Sequence, residues 1–202
     1  MRLDFAALPA NEAYRWLTAT VTPRPIAWVS TRSAAGADNL APFSFFQVIG
    51  DTPPTLMISI GLRPDGGEKD TLHNLRERGE LVIQLVSTAQ SEAMSASAAS
   101  LPHGTSEFER FGIASQPAER VAPLRVAGAA VAFECALAQI LPYPAAAPQQ
   151  HVVFATVLVA HIDDAVLGDS QHIDPVKLDL IGRLGGSAYV RTRELFHIKR
   201  PG

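Results

Sequence analysis

Apolar residues along this chain fall mostly in short runs with a two-residue period, the signature of strands with one buried face. Residues 55–60 alternate cleanly, with Leu56, Ile58 and Ile60 on one side. Residues 26–31 are apolar and β-prone, placing Ile26, Trp28 and Ser30 on one face and Ala27, Val29 and Thr31 on the other. After a turn over 33–38 the chain returns through 40–48, and a further strand is predicted over 81–86. Residues 128–140 form a long strand candidate, with Val131, Phe133, Cys135 and Leu137 opposite Ala132, Glu134 and Ala136. Residues 152–162 are nearly all apolar and are expected to be buried on both faces, and 196–198 is a short last strand.

Helical signals are fewer. Asn11 is placed to cap a helix through Leu17, with Tyr14 and Leu17 facing inward. Asp70 is a candidate cap for a helix that carries Leu72 and Leu75 inward, has Arg76 and Arg78 in its last turn and stops at Gly79. Ser87 with Gln90 and Ser106 with Glu109 read as capping boxes, the first opening a helix to about position 98, the second a short helix closed by Gly112. Turns or loops are expected at 51–54, 61–67, 101–105 and 163–177, a Pro/Ala linker at 142–148 and a Gly-rich segment at 181–189. Strands outnumber helices without regular βαβ alternation. The expected fold is therefore mainly β: an antiparallel closed or split barrel with peripheral helices, in a single domain over 1–202.

The composition suits such a core: 202 residues, 47% hydrophobic and 18% charged. A net charge of −3 with sparse lysine excludes a nucleic-acid footprint and a basic membrane patch. The longest apolar run, 152–160, is too short to span a bilayer, and residues 1–5 do not read as a secretory signal. One cysteine, Cys135, means no intrachain disulfide, and a cytoplasmic location is expected.

Three stretches carry candidate chemistry. Arg24 lies between Pro23 and Pro25, which hold its backbone extended. It is equally a surface arginine on a rigid turn or a guanidinium aimed at a phosphate or a flat ring. In 41–46, Pro42 cannot donate a ladder bond, so a disrupted strand beside Ser44 would leave main-chain groups free for a ligand, unless this is only a bulged strand with its phenylalanines in the core. Phe43 and Phe45 are expected on one face. Lys69-Asp70-Thr71 opens a helix, where free N–H groups, an ammonium and a hydroxyl suit an anion, Asp70 itself serving as the cap. Cys135, on an apolar face, reads as an inert thiol. The pairs His161/Asp163 and His172/Asp174 lack a third convergent ligand, so no metal site is expected. No dinucleotide fingerprint, phosphate-binding loop or nucleophile elbow is present, and no catalytic side chain is singled out.

The string PRPIAWVST, then NLAPFSFF, DTPPTLMISIG and KDTLHNL, continuing through Ser106-Glu107-Phe108, Phe133-Glu134-Cys135 and Ile181–Arg183 with Leu184-Gly185-Gly186 to Tyr189, resembles the flavin reductase-like, FMN-binding split-barrel family. The similarity covers roughly 14–189. It implies FMN contacts along Arg24, Pro25, Ile26, Ala27, Ser30 and Thr31, along Ala41, Pro42, Phe43, Ser44 and Phe45, and at Lys69 and Thr71 near the phosphate or ribityl chain, with Arg183 close by. It further implies a homodimer and an FMN-dependent oxidoreductase, with NAD(P)H as co-substrate and free flavin or a partner oxygenase as acceptor. A flavoredoxin-like electron carrier without reductase turnover is the alternative. In either case the cofactor carries the chemistry.

Overall fold

The computed structural model describes residues 1–169 and 171–201. Its frame is a seven-stranded antiparallel sheet in the order β2-β1-β5-β8-β9-β4-β3. The strands are β1 (Ala27–Arg32), β2 (Asp38–Phe43), β3 (Phe46–Asp51), β4 (Pro54–Gly61), β5 (Glu80–Leu85), β8 (Val131–Tyr143) and β9 (Gln150–Ile162). Two ribbons accompany it, β6 (Ser115–Gln116) with β7 (Arg125–Val126), and β10 (Ile181–Arg183) with β11 (Tyr189–Arg191). The five α-helices among the described residues are α1 (Ala10–Thr20), α2 (Asp70–Arg78), α3 (Ser91–Ala96), α4 (Glu107–Arg110) and α5 (Pro175–Leu178).

The two edge strands of the sheet are consecutive in the chain. Phe43 pairs with Ala27 of β1, whereas the Phe45 carbonyl already accepts from the Ser59 N–H of β4 at 2.8 Å. Only Ser44 separates the two pairings. The sheet must therefore curl until its edges meet, and β2 and β3 are two halves of one bent strand that changes partner. This is the expected split barrel.

Both faces of β1 are buried because it has core on each side. Ala27 and Val29 point into the barrel with Ile58, Ile60, Ile83 and Val153, while α2 plugs the interior with Leu72 and Leu75. Ile26 and Trp28 point outward against Met94 of α3 and Phe108 of α4. Trp28 stays satisfied there, its Nε1–H donating to Ser97 Oγ at 2.9 Å. The alternation expected in β4 is observed. Gly79 closes α2 at φ 66°, as its position implied.

Several local expectations are corrected. α1 starts at Ala10 behind Pro9, not at an Asn11 cap, and Tyr14 and Leu17 face solvent at 59% and 51% exposure. A helix-spaced apolar stripe does not say what it faces. At the start of α2, Lys69 is the N-cap and Asp70 the first helical residue, making no cap bond. Ser87 and Ser106 precede their helices, also without side-chain caps. β9 is buried only over its first half; Leu158 and Ile162 are exposed because the far end of the β8–β9 hairpin is covered on one side only. The Pro/Ala stretch is that hairpin's turn, not a linker, and β8 already includes Pro142 and Tyr143. Residues 196–198 form no strand, and Phe196 and Ile198 are exposed. In the loop expected over 163–177, position 170 lies outside the described residues.

The barrel wall also holds a fully buried carboxylate. Glu134 accepts from the Glu119 and Arg120 N–H groups at 2.8 and 2.6 Å, and His161 Nε2 lies 2.6 Å from its Oε1. Burial pushes this acid up, but the two N–H donors and His161 outweigh it and hold it below the usual carboxylate range. An acid depressed in the folded state stabilises the fold above its unfolded pKa, and that contribution disappears as pH falls through the folded value. Glu134→Gln should cost about 2 kcal/mol at neutral pH. It should also flatten the loss of stability below about pH 4.3, both read by chemical denaturation across pH.

Candidate functional site

Two clefts open where the strand changes partner, and Pro42 borders both. The larger, about 1040 Å³, is walled by Arg24, Ile26, Phe43, Ser44 and the segment from Arg183 to Gly186, with α1 at its rim. The smaller, about 350 Å³, lies between Asn39 and Ala41 of β2, the start of α2 at Lys69 and Thr71, and the segment 97–101 after α3.

The exposed edge of β2 supplies main-chain groups, though not as the ladder break that Pro42 suggested. The Leu40 N–H points away from β1 and donates to Glu107 Oε2 at 2.8 Å. By the two-residue period, the Pro42 position also faces outward, so its missing N–H removes no bond to β1, and it stays in register opposite Trp28. The outward carbonyl groups beyond Glu107 border the clefts. Phe43 and Phe45, expected on one face, part at the bend: Phe43 enters the barrel core and Phe45 is partly exposed, 6.3 Å from the Tyr14 ring.

Lys69 and Arg63 are the cations of the smaller cleft, and Arg63 is paired with Asp70. Lys69 is half-buried, and among the described residues no carboxylate pairs with it; Nζ lies 5.4 Å from the Phe43 ring centre. Burial holds its ammonium below the usual lysine value. Thr71 Oγ1 accepts from Asn39 Nδ2 at 3.0 Å, and the same amide reaches Thr31 Oγ1 at 3.2 Å. Asn74 Nδ2 adds a third bond to Thr31 at 3.0 Å. This buried network fixes α2 against β1 and β2, and so fixes where Lys69 points. Beside it, burial raises the Glu107 carboxyl above the usual range despite the Leu40 N–H it accepts.

Arg24 is less free than the Pro-Arg-Pro setting suggested. Nη1 donates to the Thr18 and Val21 carbonyls at 2.6 and 2.8 Å, capping the C-terminus of α1, and Nη2 donates to the Leu184 carbonyl at 3.1 Å. Its main chain exchanges both bonds with Arg183. Gly182 fits because a Cβ there would meet Pro23 Cβ at 2.8 Å. Arg24 is therefore first a brace joining α1, the proline turn and β10. Only Nε, buried and without a partner, is left over in the cleft wall.

Of the other expected residues, Ile26, Ala41, Pro42, Phe43, Ser44 and Arg183 line one cleft or both. Arg183 stacks on Tyr189, 4.5 Å from its ring centre, and donates to the Tyr189 hydroxyl and the Gly186 carbonyl. Ser30, Thr31, Pro25 and Ala27 border neither cleft. Ser30 is fully buried and donates to the Leu124 carbonyl, Thr31 is taken up by the two asparagines, and Ala27 is core. Cys135 is buried, its thiol pushed up to about 12 by burial and by Glu134, and is inert as expected. Among the described residues no cluster of His, Cys, Asp and Glu could hold a metal.

Asn39, Glu107 and the segment 97–101 were not singled out, and Asp70 was read only as a cap. Asn39 stands inside the NLAPFSFF string, but its hydrogen bond to Thr71 is a tertiary contact that no local pattern shows. The segment after α3 carries no such mark.

This arrangement can hold an elongated ligand, flat at one end and anionic at the other, bent around Pro42. Comparison with known proteins bears on what that ligand is. The protein-family model described as "Flavin reductase like domain" matches residues 19–176. An uncharacterised Deinococcus radiodurans protein is 39% identical over 98% of this chain and 88% of its own. The crystal structure of nitrilotriacetate monooxygenase component B from Bacillus cereus superposes with a TM-score of 0.92 at 27% identity, covering 98% of each chain. That of Pseudomonas fluorescens 2-nitrobenzoate 2-nitroreductase gives 0.89 at 27%, covering 100% of this chain and 96% of the other. With its split barrel and its paired clefts at the strand bend, the chain belongs to the flavin reductase-like family.

Proposed function

We propose that the protein is an FMN-dependent, NAD(P)H-oxidising flavin reductase. The observation that carries this is the meeting of two clefts at Pro42, one bordered by free main-chain groups and the other by the unpaired ammonium of Lys69. Pro42, Phe43 and Ser44 would hold the isoalloxazine, Ala41 the ribityl chain, and Lys69 at the start of α2 the phosphate. FMN held there would supply the redox chemistry, hydride uptake from a reduced nicotinamide and electron delivery to free flavin or a partner oxygenase. The chain's own residues bind, orient and shield; no acid, base or nucleophile is needed. The relative from Bacillus cereus, named as component B of a monooxygenase, is consistent with delivery of electrons to a second protein.

The functional unit is proposed to be a homodimer with a cytoplasmic location. α1 is 11 residues long, yet only Thr18 is buried; Tyr14, Leu17 and Val21 form an exposed stripe at helical spacing, with Phe45 and β3's Val48 and Ile49 also exposed. A second copy would cover this surface beside the larger cleft.

Purified protein should be yellow, or turn FMN fluorescence off on titration. A preparation that neither carries nor takes up FMN removes the proposal. Lys69→Ala should weaken FMN about 10–100-fold and leave riboflavin, which lacks the phosphate, unchanged. NAD(P)H oxidation above the rate of free flavin alone identifies a reductase, and a rate no greater identifies a carrier. Light scattering should give twice 21.6 kDa at micromolar concentration, and Leu17→Glu should return the mass to that of one chain.

A further inference from the structure

We infer that Asp70 restricts the smaller cleft to a ligand with a single terminal phosphate, so that the protein selects a flavin mononucleotide over a flavin dinucleotide. This inference rests on the proposed flavin site and concerns what lies beyond its phosphate end. Asp70 directly follows Lys69, yet it does not cap its helix. Its carboxylate instead gathers two loops. Oδ1 accepts from Arg63 Nη1 at 3.4 Å and lies 3.0 Å from His103 Nδ1, and Oδ2 accepts from the Gly104 N–H at 3.1 Å. Arg63 closes the lacing by donating from Nη2 to the Leu101 carbonyl at 3.3 Å.

Arg63, Pro64, Asp70 and Leu101 line the smaller cleft and are absent from the larger one. They therefore stand at the end away from the ring. A ligand entering past Pro42 meets the Lys69 ammonium first and the laced loops behind it. A terminal monophosphate stops there with its charge met. A pyrophosphate continuing to an adenosine would have to part the two loops, and the Arg63 guanidinium that could meet its second charge is already paired with the Asp70 carboxylate. A cation already neutralised and an obstructed path both act against the dinucleotide and leave the mononucleotide untouched.

The test is fluorescence titration of the full chain with FMN, FAD and riboflavin. Wild type should bind FMN at least about tenfold more tightly than FAD. Asp70→Asn removes the charge and loosens the lacing; it should narrow that ratio to within about threefold, chiefly by tightening FAD, with riboflavin unchanged. His103→Ala cuts one tie without touching the cleft lining and should move the ratio in the same direction, and it serves if Asp70→Asn does not fold. Equal wild-type affinities for FMN and FAD, or a ratio unmoved in the folded variants, overturn the inference while leaving the flavin site intact. Failure to bind any of the three flavins removes the proposed function instead.

Discussion

One residue, Ser44, separates a strand paired with β1 from a strand paired with β4, and the rest of the structure answers to that change of partner. Two antiparallel edges cannot be joined by so short a connection unless the sheet has curled almost closed. The curl makes an interior that α2 must fill with Leu72 and Leu75, and an outer wall that α3 and α4 must cover with Met94 and Phe108. The bend also leaves one edge of each half-strand without a neighbour. Both clefts border the unpaired edge of β2, so the candidate site is a consequence of closing the barrel imperfectly and not an addition to it.

Polar groups buried at this junction fix its geometry more sharply than apolar packing does. Asn39 draws Thr31 and Thr71 together, Asn74 draws Thr31, and Glu107 holds Leu40. Each bond has a directional optimum that a methyl contact lacks, and an orphaned partner would remain unsatisfied in a low-dielectric site. On the other side of Pro42, Arg24 performs the same service for α1 and the β10–β11 ribbon. Both walls of the site are thus set before any ligand arrives, which keeps the ordering cost of binding small.

The strands of the core were legible because their period is local: Leu56, Ile58 and Ile60 announce a face wherever the sheet runs. The partner change at Ser44 was not, since Pro42 signals an edge without saying which edge meets which. Phe43 and Phe45 show the consequence, two residues apart and in different environments. Lys69 and Thr71 could be picked from a helix start, but Asp70 beside them was misassigned. Its partners, Arg63, His103 and Gly104, arrive from loops whose approach no local pattern encodes. Ser30 and Thr31, expected from the resemblance, have hydroxyls already engaged by Leu124 and by Asn39, which only tertiary contacts reveal. For α1, the apolar spacing was correct and its direction was not, because an exposed stripe has the same spacing as a buried one.

Unpaired strand edges are hazards in most β proteins, where they invite other strands to add on. Here the outer edge of β2 is guarded at Leu40 by a carboxylate and at Pro42 by the absence of a donor. A strand approaching the same edge would find its carbonyls without a donor at Pro42 and facing Glu107 at Leu40. Glu107 and Pro42 therefore discourage strand addition at this edge, and the bend can stay open in the folded chain.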